Sequence, residues 1–363
     1  INGFGRRGYY NSQEIGLGRA LARKGHEVMI YKGIDPSEKE EKVQVEKNLT
    51  IWYLPMKHLG AHGFMDCKYL DPQLKALFCF GDQQIFLPHV YRWCRRRRIP
   101  FVAYVGTAHS LDSNFKSKVM NALFAAGTLR IYKKNPVLAK TSAAKEELRQ
   151  LGVPHAVIAP VGLDTAVLKK NIPADEKMRL RKEHGFEADD VILCNVSRLS
   201  WEKRPLELID LFLQVKGKKK FKLIIVGNGP LEEELNEKIR KNGLEKEVKI
   251  YPNVPYEKMW EIYEMSDYYL NMNKGEIFGM AIMEAVYYKT SVAAIRALGP
   301  SVTLKDMKGH KLCENDDEMA EWITGPYPSE KDLQESSEKM ASTFTWDRCA
   351  DAFLQASSEK SSR

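Results

Sequence analysis

Apolar and polar positions alternate along the chain in two series of short apolar runs separated by helical stretches. In the first series, Val28-Met29-Ile30-Tyr31, Leu49 to Leu54, Leu77-Phe78-Cys79-Phe80, Phe101-Val102-Ala103-Tyr104-Val105, Val137-Leu138-Ala139-Lys140 and Ala156-Val157-Ile158 read as strands. In the second, the strands are Val191 to Val196, Lys222 to Val226, Val248 to Tyr251, Tyr268-Tyr269-Leu270 and Ser291 to Ile295. Runs with no polar member belong to strands covered on both faces of a parallel sheet. Between them lie stretches with helical spacing. Gln13 to Lys24 carries Ile15, Leu17, Ala20 and Leu21 and stops at Gly25-His26. Ile85 to Arg95, a capped Thr141 to Leu148, and residues 205–215, 230–241, 256–265 and 280–288 follow. Residues 35–47 are charged and read as a surface loop. Ile1-Asn2 reads as the end of a strand whose start precedes the sequence, and Gly3 to Asn11 as a glycine-rich loop after it. Strand, loop, helix and strand form a right-handed βαβ unit. The pattern predicts an α/β protein of two doubly wound parallel-sheet domains, divided near Pro160-Val161-Gly162-Leu163-Asp164, with a cleft between their carboxyl edges.

Composition narrows this picture. The 363 residues suit two ordinary domains, and 44% hydrophobic content suffices for full cores. No apolar run is long enough to span a membrane, and there is no signal-peptide pattern. The six cysteines, Cys67, Cys79, Cys94, Cys194, Cys313 and Cys349, have no C-x-x-C spacing and no adjacent histidine cluster. That argues against zinc and for a reducing, cytoplasmic setting. The net charge of +8 is unevenly placed, because residues 91–149 hold 13 Lys/Arg against 3 Asp/Glu. Arg95-Arg96-Arg97-Arg98 and the mixed apolar and basic stretch Phe115 to Lys134 make residues 92–134 the candidate for an anionic membrane surface, where each basic residue contributes about 1 kcal/mol. A solvated charged face is the equal alternative. Nucleic acid is not expected, since no aromatic-interleaved basic motif is present.

The candidate chemistry sits where strands end. Asn273-Lys274-Gly275-Glu276-Ile277-Phe278-Gly279-Met280 leaves a strand and opens a helix that carries Glu284. Glu276 and Glu284 are eight positions apart, roughly 12 Å along a helix axis, and on a shared face. The backbone N–H groups near Phe278 and Gly279 make a helix N-terminus suited to an anion. Arg198 and Lys203 follow the strand that ends at Val196, and a paired cation site there suits a diphosphate. Gly227 and Gly229 lie in a strand-to-helix loop where backbone can come close to a ligand. His109 follows the fully apolar strand 101–105, at the edge where open α/β sheets bind ligands. Each has an ordinary structural reading: a solvated first turn, a surface salt bridge of Arg198 or Lys203 with Glu202, a tight turn, a hydrogen-bonded core histidine.

Taken together and in order, Arg198 to Lys203 (R-L-x-x-x-K), Val226 to Pro230 (V-G-x-G-P) and Glu276 to Ala285 (E-x-F-G-x-x-x-x-E-A) resemble the retaining GT-B glycosyltransferases of the family-4 type. Gly-His-Glu-Val at 25–28, the N-terminal glycine loop, His109 and the helix start Phe344-Thr345-Trp346 extend the resemblance over nearly the whole chain. It departs at Ile277, at Lys289-Thr290-Ser291 and at Leu298-Gly299-Pro300-Ser301. The resemblance implies a GT-B fold with an acceptor-side domain at 1–163, a nucleotide-sugar-binding domain at 164–340 and a final helix at 341–363 crossing back to the first. It implies a nucleotide-diphosphate sugar as substrate, UDP- or GDP-linked, and no cofactor. Arg198, Lys203, Gly8, Phe278 and Gly279 would hold the diphosphate and Glu284 the ribose. The base would lie near Gly227, Gly229, Asn253 and Val254, and His109 and Glu276 would stand at the donor sugar. Transfer of a hexose to a glycan or lipid-linked acceptor, with retention and without metal, is the expected reaction. The alternatives are another GT-B-like enzyme, such as an epimerase or a phosphorylase, or a non-catalytic sugar- or nucleic-acid-binding protein. A phosphorylase would need a lysine-bound pyridoxal phosphate, for which no site is evident.

Overall fold

The computed structural model describes residues 13–59, 62–82, 84–108 and 115–361. The chain divides into two compact units, residues 1–164 with 345–363, and residues 165–344. Gly8 and His109 lie outside the described residues.

The first unit opens with α1 (Gln13–Arg23) and β1 (Val28–Ile34), followed by β2 (Glu41–Glu46) and β3 (Leu49–Pro55). β1 and β3 run parallel, and β2 pairs antiparallel with β3. The charged segment expected as a loop therefore holds an edge strand. Its residues are mostly exposed, so no alternation of buried positions betrayed it. A two-residue hairpin, β4 (His58–Leu59) with β5 (His62–Gly63), precedes the second sheet. That sheet is fully parallel in the order β6 (Leu77–Phe80), β7 (Phe101–Val105), β8 (Val137–Ala139), β9 (Val157–Ile158). Its connections carry α2 (Leu87–Arg96), α3 (Phe115–Ala126), α4 (Thr128–Tyr132) and α5 (Ser142–Gln150), the last capped by the Thr141 hydroxyl on the Ala144 amide at 3.0 Å. The stretch expected as one amphipathic segment is thus two helices with different fates. α4 buries Leu129, Ile131 and Tyr132 in the core, while α3 exposes Val119 and Leu123.

The second unit is one six-stranded parallel sheet. It comprises α6 (Glu176–Glu183), β10 (Val191–Val196), α7 (Pro205–Val215), β11 (Phe221–Val226), α8 (Glu232–Lys241), β12 (Val248–Tyr251), α9 (Met259–Met265), β13 (Tyr268–Asn271), α10 (Met280–Tyr287), β14 (Ser291–Ile295), α11 (Leu298–Thr303), β15 (Lys311–Cys313), α12 (Asp316–Thr324) and α13 (Glu330–Thr343). The strand order β12-β11-β10-β13-β14-β15 reverses direction of growth between β10 and β13. Such a switch point opens a crevice outside the carboxyl ends of those two strands, which is where open α/β sheets bind ligands. One core, from Leu193, Leu208 and Phe212 to Leu270 and Ile323, holds the sheet against its helices.

The last helix, α14 (Trp346–Ser361), belongs to the first unit. Trp346 is 1% exposed, and a side chain at Gly16 would meet its indole at 2.1 Å, so α1 needs glycine there. Phe353 packs edge-on against Phe78 at 5.0 Å.

Candidate functional site

The two strands at the switch point each deliver one half of the site. After β10, Ser197-Arg198-Leu199-Ser200 leads into a 3-10 turn at Trp201–Lys203. Arg204 takes a left-handed φ of 56° and starts α7, with Pro205 in the first turn. Its guanidinium meets both Asp316 carboxylate oxygens, at 2.8 and 3.1 Å, and the Met272 carbonyl at 3.3 Å. The turn carrying Lys203 is thereby tied to the end of β13. Gly227 and Gly229 shape the same loop from the other side. A side-chain carbon at Gly227 would stand 1.9 Å from the Ser197 carbonyl oxygen, and one at Gly229 2.3 Å from that of Leu199. These glycines are required by the approach of two backbone segments, quite apart from any ligand. Asn228 bonds the Pro252 carbonyl at 3.0 Å; Asn253 is exposed and Val254 half-buried.

After β13 the chain turns through Asn271, Met272 and Asn273. The Asn271 side chain accepts the Asn273 amide at 3.0 Å, and the Asn273 side chain accepts the Gly275 amide at 2.9 Å. These two turns aim Glu276 back over the sheet edge. Its carboxylate accepts Lys203 Nζ at 2.7 Å and Asn273 Nδ2 at 3.1 Å. Burial opposes ionisation of Glu276, but Lys203, Asn273 and the Phe278 amide outweigh it and hold the carboxyl below its ordinary value. Gly299 packs on this loop: its N–H donates to the Glu276 carbonyl at 2.8 Å, and a side chain there would strike the Phe278 backbone at 2.5 Å. Gly279, at φ 82°, caps α10 in the left-handed region, and Phe278 is buried against Phe344.

Glu284 lies on α10 at 4% exposure and accepts the Tyr263 hydroxyl at 2.8 Å. Burial first, and the Glu284 charge after it, push Tyr263 well above the ordinary tyrosine range, so it stays neutral and serves as the donor. Arg198 differs from the other cations of the site. Its Nε is buried with no hydrogen-bond partner among the described residues. Glu202, the expected salt-bridge partner, instead accepts the Ser200 hydroxyl at 2.6 Å. That bond, with the charges of Lys203 and Arg198 behind it, lowers the Glu202 pKa.

The structure thus joins Lys203, Glu276, Phe278 and Gly279 around one corner of the sheet edge and places Glu284 inside the helix that follows. Residues given no role from the sequence are Asn273, Tyr263 and Gly299. The Asn-x-Asn alternation right after an apolar strand was the available signal for Asn273. No signal marked Tyr263, which reads as an ordinary member of an apolar stripe.

The carboxyl edge of the four-stranded sheet in the first unit holds a second pair. Lys140 Nζ lies 2.7 Å from Asp82, whose other oxygen accepts the amides of Gly106 and, at 3.3 Å, Thr107. Glu147 accepts the Ala108 amide at 3.0 Å.

The six-stranded sheet thus sets a lysine–glutamate pair and a buried arginine Nε without a partner among the described residues beside its switch point; residues 176–339 match the model of the family described as glycosyl transferases group 1. That match lies within the second unit, and the fold is that of the GT-B glycosyltransferases. The chain is similar to the D-inositol 3-phosphate glycosyltransferase of Xylanimonas cellulosilytica, with 23% identity over 99% of this chain and 94% of that protein. It is also similar to the alpha-monoglucosyldiacylglycerol synthase of Acholeplasma laidlawii, at 20% identity over 75% of this chain and 73% of that one. Among solved structures, HepE of Anabaena in complex with UDP and glucose matches with a TM-score of 0.63 and 19% identity, over 78% of each chain.

Proposed function

We propose that the protein transfers a hexose from a nucleotide-diphosphate sugar to a glycan or lipid-linked acceptor, with retention of anomeric configuration. The observation that carries this reading is Arg198. A guanidinium Nε–H shielded from solvent and left without a partner is costly, and a diphosphate oxygen at the sheet edge would satisfy it. Lys203, five positions on in the same loop, is held by a carboxylate, Glu276. On donor binding Lys203 would divide its charge between Glu276 and the diphosphate. The amides of Phe278 and Gly279 would add the positive end of α10. Glu284, held by Tyr263, would receive the ribose hydroxyls. Glu276 would meet the sugar, and His109 and Gly8 complete the proposed donor contacts. As the leaving diphosphate departs, these cations and amides offset its charge, so the step as proposed needs no metal ion. The bound UDP and glucose of HepE support a nucleotide-linked hexose, and the lipid product in the name of the Acholeplasma relative supports a lipid-linked acceptor. Exposed Val119 and Leu123 on α3, with the basic residues around them, support peripheral attachment to an anionic membrane. Among the described residues, no helix is long and apolar enough to cross one.

The test is a thermal-shift and hydrolysis screen over UDP-, GDP- and ADP-sugars, with and without EDTA. Stabilisation follows mass action, so one nucleotide class should raise the melting temperature in the wild type and fail to do so in Arg198→Ala. No stabilisation or hydrolysis with any nucleotide sugar would sink the reading. Loss of turnover in EDTA would remove its metal-free form.

A further inference from the structure

Outside the donor site, α2 carries a pattern that the transfer reaction does not use. Its inward face, Leu87, Val90 and Cys94, is buried in the core. His89, Arg92, Trp93 and Arg96 recur at i, i+3, i+4 and i+7 and so share the opposite face. With Cys67, from the 3-10 turn Cys67–Tyr69, they line a cavity of about 250 Å³. A surface helix ordinarily intersperses acids with its arginines. Here Arg92 and Arg96 stand one turn apart with like charge, which costs a helix a few tenths of a kcal/mol. Neither makes an ion pair or hydrogen bond among the described residues. Attraction to the helix C-terminus accounts for basic residues in the last turn only; it covers Arg96 but does not reach back to Arg92 or His89.

The walls of the cavity are held in place. The His89 ring stacks on Phe64 at 4.9 Å and 28°. The Arg97 guanidinium lies over the Trp93 ring at 4.5 Å, fixing the indole from outside. The adjacent acid, Asp66, is committed to Lys68, through its amide at 3.0 Å and its ammonium at 3.2 Å. Two unpaired guanidiniums, an imidazole and an aromatic wall around a small cavity match the chemistry of a phosphate group on a small organic substituent. The volume is below that of ordinary drug-sized pockets and does not suit a whole nucleotide.

We propose that this face of α2 is a binding site for a phosphate ester, with Arg92 and Arg96 as the phosphate ligands and Trp93 as the wall against its organic part. The site is independent of the donor reading. It also goes beyond diffuse attraction of the basic region to a charged surface, because it assigns the binding to two arginines among several. The same phosphate chemistry is offered by a free glycerol phosphate and by the headgroup of a phosphatidylglycerol bilayer.

The test uses the full chain on an Arg198→Ala background, so that the sheet-edge cation does not contribute. Calorimetric titration with sn-glycerol 3-phosphate and sedimentation with phosphatidylglycerol vesicles are each run on Arg92→Ala and Arg96→Ala, with Arg95→Ala and Arg98→Ala as controls of equal charge. Thermal melts confirm that all four fold. Binding of free glycerol phosphate that weakens about tenfold or more in Arg92→Ala and Arg96→Ala, and not in the controls, supports a site for soluble phosphate esters. Vesicle association lost selectively in the same two variants, without free binding, supports the headgroup as the source. Equal weakening of vesicle association in all four variants, or no effect of Arg92→Ala and Arg96→Ala in either assay, overturns the proposal.

Discussion

Each unit places a lysine–carboxylate pair at the carboxyl edge of a parallel sheet, and both pairs close at 2.7 Å. The resemblance ends there. In the second unit the acid is the shielded partner, with Glu276 15% and Lys203 25% exposed. In the first unit the lysine is shielded, with Lys140 8% and Asp82 37% exposed. Lys140 also lies within 5.5 Å of the Phe80 and Tyr104 ring centroids, and Asp82 spends its second oxygen on backbone amides. A cation so enclosed is structural cement for the loop that follows β7. A cation left partly open beside a fixed acid can move toward an incoming anion. The same two-residue chemistry is therefore closed around the lysine in one place and left open on the lysine side in the other, which suits the second pair to the recognition role proposed for it.

The largest effect that would sharpen this contrast is on turnover. Glu276→Gln and Lys203→Met should each lower sugar transfer by about 10²–10³-fold, as expected when a group acting on developing charge is lost. Near-normal transfer in both would break the contrast. Gly227→Ala follows: with φ at 142° and 1.9 Å to Ser197 oxygen, it should displace the Arg198 loop. It should cost about 2 kcal/mol or more in urea unfolding and reduce donor affinity alongside. Lys203→Met, which strands Glu276 at 15% exposure, should lose ~1–3 kcal/mol, whereas Lys140→Met, which strands the more open Asp82 with its backbone amides still in place, should lose about 1 or less. Equal losses would show that exposure does not set the role.

The last prediction concerns acid. His310 in the second unit accepts the Val292 amide on Nδ1 at 3.0 Å, while its Nε2 is buried without a partner among the described residues. Burial pushes its pKa down to about 4. The unfolded chain takes up this proton first as pH falls below the ordinary histidine value, so stability should drop between about pH 6.5 and 4, by up to ~2–3 kcal/mol for this group. Urea midpoints at pH 7, 5.5 and 4.5 should fall in the wild type and flatten in His310→Gln.

Much of this was legible in the residues. The strands of the second unit and the helices α7 and α10 follow their apolar periodicity closely, because a sheet buried on both faces leaves an unbroken apolar record. Arg198, Lys203 and Glu276 were legible because strand ends and helix starts mark where polar side chains must serve the edge. The Asp82–Lys140 pair was not: its members are 58 positions apart, joined only by the parallel pairing of β6, β7 and β8. Nor was β2 visible, since an exposed edge strand carries no core face. The inward turn of α4 was hidden by the basic residues around it. Gly227 and Gly229 read as ligand-facing glycines, yet their immediate necessity is steric, which only the packing of two loops reveals.

The return of α14 to the first unit has a consequence for how the chain folds as it is made. The bed for Trp346 beside Gly16 exists early in synthesis, but the indole that fills it arrives more than 300 residues later. All of the second unit emerges in between, and its six-stranded sheet draws on no residue of the first. The unit synthesised first is therefore the one completed last. Until then its α1 surface waits uncovered, a natural point of contact for chaperones and the place where a stalled chain would first aggregate.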